Sequence, residues 1–206
     1  MSVLNAKEPH HILKFKCKQC GHCCDSTYIQ LAPFDIKNIC DTLDISTQKF
    51  HEKYSMFNSS DNIPRCYLRN RPRCPFKENK LCTIYNNRPL RCRLFPLGRV
   101  YPEDLNESSF LILPEEKCIG FDTGKKIKIS EFLEQQNVNS LDKLSEEWNH
   151  FLITLKDNPT IEKQEFKQSF KETFYGFENK DASLKEFMEE LYQKWNIINQ
   201  IYQIRV

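Results

Sequence analysis

Four cysteines fall within eight residues near the start of the chain, in the run Cys17-Lys18-Gln19-Cys20-Gly21-His22-Cys23-Cys24. No other feature restricts the fold as tightly. Thiolates at this density are soft ligands, which favour zinc, Cu(I) or an iron–sulfur cluster over oxygen-loving cations. Cys17-x2-Cys20-Gly21 has the spacing of a metal knuckle. Two thiolates three residues apart can grip one ion, and the glycine lets the backbone turn without a Cβ clash. The further step of three to Cys23 matches the way ferredoxin loops wrap a cubane cluster. Cys24 breaks both patterns. Side chains of neighbours in an extended segment diverge, so Cys23 and Cys24 are expected to serve two centres or to bridge two metals.

Cys74, Cys82, Cys92 and Cys118 bring the set to eight thiols, enough for two four-ligand sites. Cys40 falls on the apolar face of an expected helix and reads as a buried thiol. Cys66 stays open between the two roles. His22 reads as a hydrogen-bond donor to sulfur rather than a ligand. His10, His11, His51 and His150 read as ordinary surface or packing residues. The first ten residues hold no apolar run of the signal-peptide kind, and no stretch is long enough to span a bilayer. The expected compartment is therefore cytoplasmic, with no membrane partner, and there clustered cysteines hold metal rather than disulfides.

The pattern C-x2-C-x2-C-C is followed by Cys74-Pro75-Phe76. It is followed again by Cys82-Thr83-Ile84-Tyr85-Asn86-Asn87-Arg88-Pro89-Leu90-Arg91-Cys92-Arg93-Leu94-Phe95-Pro96. Together these resemble the YkgJ-type CxxCxxCC cysteine-cluster family. That family is described as chelating zinc or iron, and flagellin lysine N-methylase contains a similar module. The resemblance runs over roughly residues 15 to 120. It implies that Cys17, Cys20, Cys23, Cys24, Cys74, Cys82, Cys92 and Cys118 bind metal, with an iron–sulfur cluster or zinc as the cofactor. It assigns nothing to the second half.

A net charge of +2 makes no global case for nucleic-acid binding. The distribution says more. Eight of the nine arginines lie between Arg65 and Arg99, and with Lys77 and Lys80 against Glu78 that stretch carries +9. Arginine N–H groups can donate to metal-bound sulfur and offset its negative charge. Arg88, Arg91 and Arg93 are the candidates, either in that role or as part of an anion-binding face. The anion would be an acidic protein segment or a small molecule. Nucleic acid is disfavoured, because no aromatic binding motif accompanies the arginines.

The expected fold class is α+β. Residues 1–125 form a small irregular cysteine-rich metal domain with short strands and helices, and residues 126–206 a helical segment. Tyr28 to Ala32 reads as a strand. A helix follows from Pro33, with Phe34, Ile36, Ile39, Cys40 and Leu43 on one face. Ser46 should cap a second helix carrying Phe50, Tyr54 and Phe57. Pro64 to Pro102 is expected to be organised by metal rather than by a hydrophobic face, with one helical turn around Leu90 to Leu94. Ser109 to Leu113 reads as a strand.

Beyond residue 130, three apolar stripes at helical spacing run from Leu141 to Leu155, Phe166 to Phe177 and Leu184 to Tyr202. Ser183 and Glu186 form a capping box before the last. No G-x-S-x-G, H-E-x-x-H, Walker A or dinucleotide fingerprint is present. Three functions compete: an iron–sulfur redox protein, a zinc-stabilised interaction module with an arginine-rich face, and, by resemblance alone, a methylase-like factor.

Overall fold

The structure, a computed structural model, describes residues 7–58, 62–70, 72–101, 109–113, 117–156, 160–178 and 181–202. Arg71 and Pro102 lie outside them. The architecture is α+β, as the sequence pattern predicts. The first half runs β1 (Ile12–Phe15), α1 (His22–Ser26), β2 (Gln30–Leu31), α2 (Pro33–Leu43), α3 (Thr47–Tyr54), β3 (Ser55–Asn58) and β4 (Arg65–Leu68). It continues through β5 (Lys77–Glu78), β6 (Leu81–Cys82), a 3-10 turn (Tyr85–Asn87), α4 (Leu90–Leu94), β7 (Leu97–Val100) and β8 (Ser109–Ile112). Then come β9 (Phe121–Lys128), α5 (Ile129–Gln135), α6 (Asn139–Leu155), α7 (Gln164–Tyr175) and α8 (Leu184–Tyr202). Among the described residues no helix is long and apolar enough to cross a membrane.

The strands make four small antiparallel sheets: β1 with β9, β2–β4–β3, β5 with β6, and β7 with β8. The β1–β9 ribbon was not evident from sequence. Leu13 and Phe15 alternate inward from β1 while Ile12 and Lys14 face out, a half-buried strand pattern only four residues long. Its partner β9 is rich in lysine and carries little alternation. Phe57 corrects a second expectation. It lies on β3, paired with Cys66 of β4, because α3 ends at Tyr54 and the chain is drawn into a sheet. Residues 64–102 also contribute more hydrophobic core than expected. Leu68, Phe76, Ile84, Leu90, Leu94 and Leu97 are all buried.

The predicted caps are present. Ser46 Oγ accepts the Lys49 amide at 3.2 Å. The Glu186 carboxylate accepts the Ser183 amide at 3.0 Å, and Ser183 Oγ accepts the Glu186 amide at 3.3 Å. Each satisfies helix-end amides that have no intrahelical partner.

One continuous hydrophobic cluster extends from Leu13 to Trp195, taking in residues on both sides of position 125. Helix α2 packs against α7 and α8, and α5 packs against β1 and β9. The aromatic stripes meet here. Trp148 stands 5.0 Å from Phe174, and Trp195 lies 5.5 Å from Phe170, ring centre to ring centre. Polar ties cross as well. Thr47 Oγ1 donates to the Phe177 carbonyl at 2.6 Å. His51 Nε2 sits 2.7 Å from the Tyr175 carbonyl, which only accepts, so Nε2 carries the proton and Nδ1 accepts from Ser55 Oγ at 2.7 Å. Burial holds His51 below its usual pKa, in keeping with a neutral packing residue.

Phe170 is completely buried among these rings. Its replacement by alanine is expected to cost about 3–5 kcal/mol through lost burial and a residual cavity. Urea unfolding of the two proteins measures the difference, and a loss under about 1 kcal/mol would contradict this account of the core.

Candidate metal centre

The first turn of the cysteine run is built as a knuckle. The Gln19 amide donates to Cys17 Sγ at 3.4 Å. Gly21 has φ of +76°, and a Cβ there would meet the Lys77 side chain at 3.1 Å. The chain then enters α1, so Cys23 and Cys24 sit on a helical turn, not an extended segment. The basis for expecting the two side chains to diverge is therefore wrong. Each thiol acts on the other's ionisation: Cys24 raises Cys23, aided by burial, and Cys23 brings Cys24 down to about 7.

Side chain to backbone bonds fix α1 against the later cysteines. Asn70 Nδ2 donates to the carbonyls of Cys24 at 3.1 Å and Thr27 at 2.7 Å. Asp25 Oδ1 accepts the Cys74 amide at 3.1 Å, while its other oxygen pairs with Lys77, whose ammonium also reaches the Gly21 carbonyl at 3.2 Å. Burial works against the Asp25 carboxylate, but Lys77 and the Cys74 amide hold it below the usual range. The position of α4, and with it Cys92, depends on Asp35. This carboxylate is buried on α2 and accepts the amides of Ala32 at 3.0 Å and Leu90 at 2.8 Å.

All eight predicted thiols line one cavity of about 100 Å³. They are Cys17, Cys20, Cys23, Cys24, Cys74, Cys82, Cys92 and Cys118. Phe15, Phe76, Phe95 and Phe132 are among its apolar walls, with Phe15 5.9 Å from Phe95 and 6.2 Å from Phe132. No carboxylate or imidazole is among the described lining residues. None of the ten cysteines is in a disulfide. The thiols surround the space rather than meeting at a point. Among the described residues no group of three or more His, Cys, Asp or Glu stands ready to hold an ion.

Burial raises the Cys74 thiol to about 11, with the nearby Cys24 and Cys82 adding to it. Cys92 is held well above its ordinary value by burial, then by Cys24 and Cys74. Cys82 and Cys118 are also raised, mainly by burial. A buried thiol resists ionising until a cation repays the lost hydration, which is how metal affinity and proton release become linked.

The three expected arginines separate. Arg88 lines the cavity, donates to Gln136 Oε1 at 2.7 Å and lies 4.0 Å over the Tyr85 ring. Its Nε is buried with no hydrogen-bond partner among the described residues. An orphaned buried donor beside thiols fits a ligated sulfur as its acceptor. Arg91 is exposed at the cavity edge. Arg93 does not line the cavity. It donates to the carbonyls of Arg88, Asn86 and Asn137, so it braces the loop around α4.

His22 is exposed and outside the lining. Cys40 and Cys66 are fully buried elsewhere, each thiol pushed up to about 12 by burial. Sequence reasoning missed Asp25, Asn70 and Asp35. None belongs to a motif, and each acts on backbone groups remote in sequence.

Burial lifts Asp35 to about 6 from 3.8 despite its two amide donors. Between those values the folded protein keeps a proton that the unfolded chain has released, so stability falls as pH rises through the window. Asp35→Asn should abolish that slope. Asp35→Ala orphans two buried amides and should cost about 2–4 kcal/mol at pH 7. Urea unfolding of the metal-stripped proteins from pH 3.5 to about 7 tests both. An unchanged slope in Asp35→Asn would contradict the assignment.

Residues 16–119 match the CxxCxxCC family, described as "Putative zinc- or iron-chelating domain". No curated protein and no solved structure matches the chain. The matched segment covers half of the 206 residues and contains every thiol that lines the cavity, so the chain belongs to the CxxCxxCC family of metal-chelating domains.

Proposed function

We propose that this protein carries one or two cysteine-ligated iron–sulfur centres in the thiol-lined cavity and works as a redox protein. The ligands are drawn from Cys17, Cys20, Cys23, Cys24, Cys74, Cys82, Cys92 and Cys118. The observation that carries the proposal is their convergence, from three separate stretches of sequence, on one space with no carboxylate or imidazole among its described lining residues. An all-sulfur donor set selects soft metals. The size of the space favours a cluster over a lone ion. A single water needs only about 10–15 Å³, and this cavity is several times larger.

When bound, an iron–sulfur cluster supplies reversible one-electron oxidation and reduction. The protein's part is to tune that couple. Arg88 offers a buried N–H to sulfur, and the phenylalanine walls make much of the cavity's surroundings apolar. Both are recognised levers on a cluster's potential.

Anaerobic purification followed by metal and sulfide analysis decides the matter. A brown protein with iron and acid-labile sulfide, bleached by dithionite, is expected. A colourless protein with stoichiometric zinc would overturn the redox reading and leave a zinc-stapled interaction module. That second reading draws on β5 and β6, each only two residues long, which are short for elements held by packing alone. In the iron-loaded protein, Arg88→Leu should shift the reduction potential negative and leave iron content unchanged, as spectroelectrochemistry would reveal.

A further inference from the structure

The eight thiols are not equally connected. Cys118 is tied to the beginning of the cysteine run. The β1–β9 ribbon pairs Phe15 with Phe121, and the Lys16 amide donates to the Gly120 carbonyl at 3.1 Å. Gly120 has no room for a side chain. A Cβ there would lie 2.7 Å from the Phe15 ring and 2.8 Å from the Lys16 carbonyl. Thr123 Oγ1 closes the same turn on the Gly120 carbonyl at 2.7 Å. The segment that bears Cys118 is thereby pressed against the backbone leading into Cys17, and the knuckle carries the chain on to Cys20.

A second group forms around Cys24. Asp25, the next residue, accepts the Cys74 amide. The Lys77 amide returns to the Cys74 carbonyl at 3.2 Å, and Lys77 faces Cys82 across the β5–β6 hairpin. Cys92 follows on α4, its amide held by the Pro89 carbonyl at 2.9 Å. Cys74, Cys82 and Cys92 line the cavity together with Cys24 and Arg88. Cys23 stands between the two groups, next to Cys24 in α1 and three residues after Cys20.

We infer that the cavity holds two adjacent four-thiolate centres, Cys17/Cys20/Cys23/Cys118 and Cys24/Cys74/Cys82/Cys92, with the consecutive pair Cys23 and Cys24 at their junction. The inference rests on the reading that the cavity binds metal, and adds how the thiols divide. Four thiolates complete a closed site, and the connections leave Cys23 as the fourth member of the first group. The two centres are unequal. The first opens to solvent through the exposed Cys17. The second has the half-buried Cys92 and the Arg88 donor. A chelator should strip the first before the second.

Metal content of cysteine-to-serine variants separates these arrangements. Each full-length protein is purified anaerobically, and iron and zinc are counted together. Cys118→Ser and Cys82→Ser should each retain about half the wild-type metal. Cys20→Ser/Cys118→Ser, both changes within one group, should also retain about half. Cys118→Ser/Cys82→Ser, one change in each, should retain almost none. Equal and complete loss in every single variant that still folds, judged by far-ultraviolet circular dichroism, would overturn the division while leaving metal binding intact. Wild-type protein without metal would instead overturn the reading beneath it.

Release from wild-type protein to a chromogenic chelator serves as a check that needs no variant. Two phases of similar amplitude are expected, and a single phase would sink the two-centre arrangement.

Discussion

A sulfur atom can leave water cheaply only while it keeps its proton, and that constraint governs this protein. The cavity gathers eight thiols in apolar surroundings, and burial pushes several of them well above their ordinary pKa. Ionising them costs hydration that the phenylalanine walls cannot return. A soft cation can return it, with Arg88 and Lys77 supplying positive charge nearby. Binding a cation there would couple metal affinity to folding for that reason. The rest of the fold serves to bring the sulfurs close without filling the space between them.

That service is divided among elements with different strengths. The helical half and α2 share a dense aromatic core, a rigid base because close-packed interiors yield little to local strain. The segments that carry the thiols are much slighter, with two-residue strands, single helical turns and loops. They are positioned by individual polar contacts: Asp25 on Cys74, Asn70 on the end of α1, and Asp35 on the start of α4. Each of these carboxylates and amides satisfies backbone groups that would otherwise lack a partner. Metal binding would add a covalent-strength tie to a region with few of its own.

The arginines show how composition can mislead by pooling. A block of +9 suggests one basic face, yet the side chains take three roles. Arg88 turns into the cavity, Arg93 braces carbonyls behind it, and Arg99 leaves the site altogether to pair with Asp142 and Glu146 on α6. Charge count in a sequence window measures supply. Only the backbone path decides where each guanidinium is used.

Much of the molecule was legible from local patterns. The face of α2, the Ser46 cap, the turn at α4, the strand at β8 and the capping box at Ser183 depend on residues within a few positions of one another. The donor chemistry of the eight cysteines was legible for the same reason, since ligand type and spacing are written in the chain. The β1–β9 ribbon, the move of Phe57 into a sheet, the helical setting of Cys23 and Cys24, and the anchoring by Asp35 were not. Phe15 meets Phe121, and Asp35 holds an amide 55 residues away. The chain alone therefore determined what could bind and where helices would form, because those depend on neighbours in sequence. Tertiary structure decided which sulfurs stand together, because that depends on pairings across distances no periodicity encodes.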